Sequence, residues 1–253
     1  MSKTHAHPDS IGPFITNMYV NPDRVRSWDE YPFTLPAVKA MDKIRFHPKV
    51  TYLVGENGSG KSTLLEGLAV NLGFNPEGGS KSFNFATRES HSWLGNALRV
   101  GKVLGKCAAD SYFLRAESFY NVATEIEKLG VGDGYGGKSL HEQSHGESFM
   151  KLFGERFQGR GLYLLDEPEA ALSPQKQMTF LSIMHNYIRQ GSQFVIATHS
   201  PIVMAYPEAS IFMFSADGIS QVEYEQTDHY QITKNFLNRT ERMLKILMND
   251  EEE

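Results

Sequence analysis

Gly55-Glu56-Asn57-Gly58-Ser59-Gly60-Lys61-Ser62-Thr63 is the stretch that decides how this sequence folds. It fits the pattern G-x-x-x-x-G-K-[S/T], and its neighbours suit it. Val50-Thr51-Tyr52-Leu53-Val54 before it is apolar and rich in β-branched residues, which predicts a buried strand. After it, Leu64, Leu65, Leu68, Ala69 and Leu72 recur at helical spacing, and Gly73 ends the run. Each part of such a strand–loop–helix unit has a physical task. The glycines let successive backbone N–H groups turn inward as an anion nest. The helix behind them points its positive end at the same place. Lys61 can reach β- and γ-phosphates, and Ser62 can set its hydroxyl on Mg²⁺. The alternative, a glycine-rich turn with a chance lysine, leaves the fit of both flanking elements unexplained.

Working outward, Leu162-Tyr163-Leu164-Leu165-Asp166-Glu167-Pro168 is an apolar strand ending in two carboxylates. Ligands of open α/β sheets sit at the carboxyl ends of strands. Asp166 is therefore placed to hold Mg²⁺, and Glu167 to orient and deprotonate a water, with the turn at Pro168 re-aiming it. Phe194-Val195-Ile196-Ala197 is a further buried strand, and it ends in Thr198-His199-Ser200. A lone histidine is more often structural. Its place beside the other strand ends makes His199 a donor to a γ-phosphate. Gln143-Ser144-His145-Gly146-Glu147 opens a helix, and Ser144 with Glu147 reads as a capping box. That helix start is also an anion site.

The remaining elements follow from pattern. The segment before Pro36 reads as a loop-rich entry with one or two edge strands. Ser82–Thr87 and Ser111–Arg115 read as strands, Trp93–Val100 as a helix or turn, and Asn121–Leu129 as a helix. Gly130–Gly137 holds five glycines in eight residues and reads as a flexible loop, a candidate hinge. Gly146–Phe157 carries Phe149, Leu152, Phe153 and Phe157 on one helical face. Ser173-Pro174 opens a helix to about Arg189, and Ser200-Pro201 repeats the signal. Asp217-Gly218 between two apolar runs predicts a hairpin. Thr227 or Asp228 caps a last helix, predicted to turn Ile232, Phe236, Met243, Leu244 and Leu247 inward. Short buried strands alternating with helices make this an α/β protein with a largely parallel sheet covered on both faces and antiparallel strands at its edges. One domain over 1–253 is expected, with 80–155 as a small helical insert.

Composition narrows the class. The 253 residues are 40% hydrophobic and 11% aromatic, too rich for a disordered chain. Such a length buries about 70–75% of its unfolded surface and needs no staple to fold. There is no apolar run of about 18 residues, so no membrane insertion is expected. Met1–Ser10 lacks the apolar core of a signal peptide, and one cysteine, Cys107, rules out an internal disulfide; both predict a cytoplasmic protein. A net charge of −5 gives no footprint for nucleic acid, although a local patch remains open.

The order of these motifs resembles the ABC-type ATPases. The wording GENGSGKST, LLDEPEAALSP and ATHSP is similar to the bacterial AAA-domain ATPases related to the chromosome-maintenance and recombination-repair ATPases. The resemblance implies a P-loop fold, ATP and Mg²⁺ as ligands, and ATP hydrolysis. It implies that Gly55, Asn57, Gly58, Gly60, Lys61, Ser62 and Thr63 are the Walker A loop, with Glu56 and Ser59 inside it. Asp166 and Glu167 match Walker B, with Glu167 as general base. Ala171, Leu172 and Ser173 match the D-loop, and His199 the switch histidine. Ser144, Gly146 and Glu147 match the signature that caps the ATP of a second subunit, which implies a head-to-tail homodimer around two ATPs. The usual LSGGQ reads QSHGE here. Glu117 takes the place of the Q-loop glutamine near the metal, and Trp28, Tyr31 or Phe33 would stack on adenine. The expected role is a switch acting on a partner protein or on DNA, in repair or phage defence. The alternatives are the ATP-binding subunit of a transporter and a P-loop small-molecule kinase.

Overall fold

A computed structural model describes residues 12–81, 92–115 and 149–248. Its centre is a six-stranded sheet in the order β5-β6-β7-β3-β8-β9. The strands are β3 (Val50–Gly55), β5 (Asp110–Arg115), β6 (Gly161–Asp166), β7 (Gln193–Ala197), β8 (Ser210–Ser215) and β9 (Gly218–Val222). All pair in parallel except β8 with β9, which form the hairpin announced by Asp217-Gly218. β3, β6 and β7 are buried along their whole length, as expected of strands covered on both faces.

A second, antiparallel sheet has the order β2-β1-β4, from β2 (Ile44–Arg45), β1 (Ile15–Val20) and β4 (Leu98–Lys102). β1 is the strand expected before Pro36, but it is not an edge: β2 and β4 pair with it on either side, so it is the central strand of this sheet. Trp93–Val100 divides: its helix ends at Ala97, and Leu98 and Val100 pair with Val20 and Met18 of β1. Tertiary pairing captures those β-branched and apolar residues that the local pattern left open. The buried amide of Gln193 joins the two sheets. It accepts from the Phe14 and Ile15 N–H groups and donates to the carbonyls of Ile15 and His47.

Helices cover both faces. α1 (Pro36–Lys39), α2 (Lys61–Asn71) and α3 (Ser92–Ala97) lie on the side of the antiparallel sheet. α4 (Pro174–Arg189) lies on the other, with Phe180, Met184, Tyr187 and Ile188 inward. Ser173 caps it, its hydroxyl accepting from the Lys176 N–H. The expected helix to Phe157 is described from Phe149 and is π-helical over Leu152–Arg156. Phe149, Phe153 and Phe157 stack along one face, and Phe157 lies parallel on Tyr163 with centroids 4.1 Å apart.

The C-terminal expectation is corrected. Two helices, α5 (Asp228–Asn238) and α6 (Thr240–Met248), stand where one was expected, separated at Arg239. Neither buries a residue. Ile232 and Leu247 are exposed, while Phe236, Met243 and Leu244 are only partly covered. The amphipathic pattern is real, but no described part of the sheet reaches its apolar face. The expected strand 82–87, the helix 121–129, the glycine run 130–137, Glu117, and Ser144, Gly146 and Glu147 lie outside the described residues.

Candidate functional site

The strand order assembles the site. β3, β7 and β6 are consecutive neighbours, so Gly55, Ala197 and Asp166 end at one edge of the sheet, with Asp166 paired to Ala197 and Ala197 to Leu53. The loop 55–60 leaves β3 and enters α2. Gly55, Gly58 and Gly60 have φ of 138°, 78° and 98°, the left-handed region that glycine tolerates. A Cβ on Gly55 would collide with the Phe214 carbonyl of β8, so glycine is also required there for space. α2 opens on Gly60 with no side-chain cap, so its free N–H groups face the loop.

Lys61 is buried, and its ammonium donates to the carbonyls of Gly55 and Glu56, each at 2.8 Å. Burial lowers its pKa, while Glu167, Asp166 and Glu56 oppose that shift. The Ser62 hydroxyl donates to Asp166 Oδ1 at 2.9 Å. A cleft of about 260 Å³ opens in front of these groups, lined by Asn57, Gly58, Gly60, Lys61, Ser62, Thr63, Glu167, Tyr31 and Leu35. Among the three adenine-stacking candidates, Tyr31 alone lines this cleft, and its hydroxyl shares a hydrogen bond with that of Thr63 at 2.9 Å. Phe33 is buried and packs edge-on against Trp28, which removes Phe33 as a stacking surface.

Glu167 shows what the turn at Pro168 does. Its φ is 50°, unusual for a residue with a side chain, and its N–H donates to the Ala197 carbonyl. The side chain therefore faces the cleft instead of following the alternation of β6. Such a conformation costs about 1–3 kcal/mol and persists where surrounding bonds hold it. His199 Nε2 lies 3.4 Å from Glu167 Oε1. Lys61, Ser62, Asp166, Glu167 and His199 thus converge, from three separate stretches of sequence.

Two partners escaped sequence reading. Glu169 Oε1 accepts from the Thr198 hydroxyl at 2.7 Å and from the N–H groups of His199 and Ser200 at 2.6 and 3.1 Å. It clamps the histidine loop, and burial raises its pKa. His229, in the first turn of α5, places Nε2 3.0 Å from His199 Nδ1. The acidic run 166–169 is a signal that could have drawn attention to Glu169; nothing local marks His229. Beyond the two, Arg115 at the end of β5 pairs with Glu66 of α2 at 2.8 Å and lies 4.0 Å from Asp166.

The donor set fits a nucleotide with a hard divalent cation. A nest of N–H groups and a buried ammonium suit phosphate, and a hydroxyl beside a carboxylate suits Mg²⁺, which prefers oxygen. No helix of the described residues is long and apolar enough to cross a membrane.

Comparison with known proteins points the same way. Residues 39–152 match a family model described as "AAA domain", and residues 140–205 one described as "AAA domain, putative AbiEii toxin, Type IV TA system". The nucleoside import ATP-binding protein NupA of Lactococcus lactis subsp. cremoris is 26% identical over 63% of this chain. The cytochrome c biogenesis ATP-binding export protein CcmA of Rhodopseudomonas palustris is 28% identical over 63% of it. The chain spans 36% of the length of NupA and 82% of that of CcmA. Among solved structures, the SMC head domain of Thermotoga maritima is 16% identical with a TM-score of 0.46, over 83% of this chain and 100% of that one. An SMC head bound to the C-terminal winged-helix domain of ScpA is 13% identical with a TM-score of 0.47, over 83% and 97%. With its motifs in this order at adjacent strand ends, the chain is similar to the AAA-domain and ABC-type ATP-binding P-loop proteins over residues 39–205.

Proposed function

We propose that this chain binds ATP with Mg²⁺, hydrolyses it, and uses the cycle to close and open a head-to-tail homodimer acting on a partner. The observation that carries the reading is the Glu167 carboxylate, turned into the cleft between Lys61 and His199 by its left-handed backbone. The loop 55–60 with Glu56, Ser59 and Thr63 would cradle the phosphates, and Lys61 would exchange its two carbonyl partners for them. Ser62 and Asp166 would hold Mg²⁺, which supplies charge neutralisation to the phosphate oxygens. Glu167 would orient a water and take its proton, and His199 would donate toward the γ-phosphate. Tyr31 is the aromatic best placed to meet the base. Ser144, Gly146 and Glu147, proposed to cap the ATP of the second subunit, and Glu117 beside the metal, rest on the motif resemblance. Because the chain is acidic overall, any DNA contact would come from a patch that dimerisation assembles.

The test is Glu167→Gln. Phosphate release should fall by about 10²–10⁴-fold, the range of a general base. ATP should still bind, and light scattering should read a doubled mass with ATP and a single chain without it. Unchanged phosphate release would end the role of Glu167, and a monomer under both conditions would end the dimer.

A second reading is the ATP-binding subunit of a transporter, favoured by what the similar proteins NupA and CcmA are called. Co-purification with a membrane-spanning chain from detergent-solubilised membranes, with turnover that depends on that chain, would favour it over the stand-alone switch.

A further inference from the structure

His229 lies outside every motif of the sequence, yet it touches the site. Its Nε2 is 3.0 Å from His199 Nδ1, with the two rings near edge-on at 65° and centroids 5.1 Å apart. One imidazole nitrogen must donate and the other accept. The far nitrogen of His199, Nε2, is buried, has no hydrogen-bond partner, and lies 3.4 Å from Glu167 Oε1. A carboxylate at that distance favours an N–H there over a lone pair. A neutral His199 with its proton on Nε2 has a bare Nδ1, and His229 must then supply the N–H between the rings. Burial lowers the pKa of both imidazoles and the Lys61 ammonium adds to it, against the pull of Glu167 at His199 and of Glu56 at His229, so the net direction at both rings favours the neutral form.

The start of α5 is well fixed for this task. The Tyr224 hydroxyl donates to the Pro201 carbonyl at 2.9 Å, which ties the turn before α5 to the loop carrying His199. Thr227, fully buried, precedes Asp228, and its hydroxyl donates to the Tyr224 carbonyl at 2.8 Å. On the opposite side Glu169 holds the His199 main chain. The ring of His199 is thereby oriented from two sides, by an element more than a hundred residues from the glycine loop.

We infer that His229 is a positioning residue: it donates Nε2–H to His199 Nδ1 and so fixes His199 in the tautomer that presents Nε2–H to Glu167 and the phosphate end of the cleft. It rests on the proposed role of His199 only for its effect on turnover; the tautomer itself is a property of the nucleotide-free protein. A consequence is that the C-terminal helices α5 and α6 are joined to the nucleotide site through one hydrogen bond.

The experiment uses the full chain, with ¹⁵N-imidazole spectra assigned by loss of the His199 signals in His199→Gln. The nucleotide-free protein should show His199 protonated at Nε2 and bare at Nδ1. His229→Leu should mix the tautomers and lower kcat about tenfold, in the range of lost outer partners of functional histidines, with KM for ATP changed less than about twofold. His229→Gln, whose amide nitrogen can donate from the same place, should restore the tautomer and most of kcat. A His199 protonated at Nδ1 in the unaltered chain overturns the inference, as does a tautomer unmoved by His229→Leu. So does a Gln variant no better than Leu. If His229→Leu does not fold, the unaltered and Gln spectra decide alone. Should the unaltered chain release no phosphate, the ATPase reading fails while the spectra still judge His229.

Discussion

A side chain at position 55 would have two faults at once. The φ of 138° suits glycine, and a Cβ there would run into the Phe214 carbonyl of the neighbouring strand. Gly55→Ala should therefore destabilise the chain by more than about 1 kcal/mol, read as a fall in the thermal midpoint of at least roughly 2–4 °C. An unchanged midpoint would mean that the loop has another way of leaving β3. Glu169 is a residue of a different kind, a half-buried carboxyl with one oxygen taking three donors. Glu169→Ala leaves the N–H groups of His199 and Ser200 without this acceptor and should cost about 1–3 kcal/mol. Glu169→Gln keeps an acceptor oxygen and should recover much of that stability in chemical denaturation. Equal losses in the two variants would argue against the clamp. Gly55 could be read from the motif, since the loop pattern specifies it. Glu169 could not be assigned a role, because its partners lie about 30 residues onward and are brought beside it only by the pairing of β6 with β7.

At the scale of elements, the buried strands were legible because a strand covered on both faces must be apolar throughout, as β3, β6 and β7 are. The capped start of α4 and the β8–β9 hairpin were legible because Ser-Pro and Asp-Gly act within a few residues. The C-terminal helices show the limit of such reading. Periodicity reports that one face of a helix is apolar, not that anything covers it. Ile246 and Leu247 are 65% and 68% exposed, so replacing both by glutamate should shift the free energy of unfolding of the isolated chain by no more than about 0.5 kcal/mol per site. A loss of several kcal/mol on urea unfolding would show that this face is packed in solution.

For the molecule as a whole, stability should depend on pH through its histidines. Burial lowers the pKa of His47, His199 and His229 below the ordinary 6.5. Each takes up its proton more readily in the unfolded chain. Their contribution is complete above about pH 6.5 and is lost as pH falls through that value toward the folded pKa. The thermal midpoint should thus drop between pH 7 and 5, and His47→Gln should shallow the slope. A midpoint flat across that range would contradict the shifts.

The glycine loop 55–60, the strands that carry Asp166, Glu167 and His199, and an α/β fold built around them could all be read from local pattern. This is so because anion nests, buried strands and caps are properties of residues near one another in the chain. Long-range packing sets the rest: β7 lies between β3 and β6 and brings His199 to Glu167, Tyr31 and not Phe33 faces the cleft, and His229 meets His199. Those are outcomes of strand order and of where a helix docks. They depend on contacts between residues far apart in the chain, which no local pattern encodes.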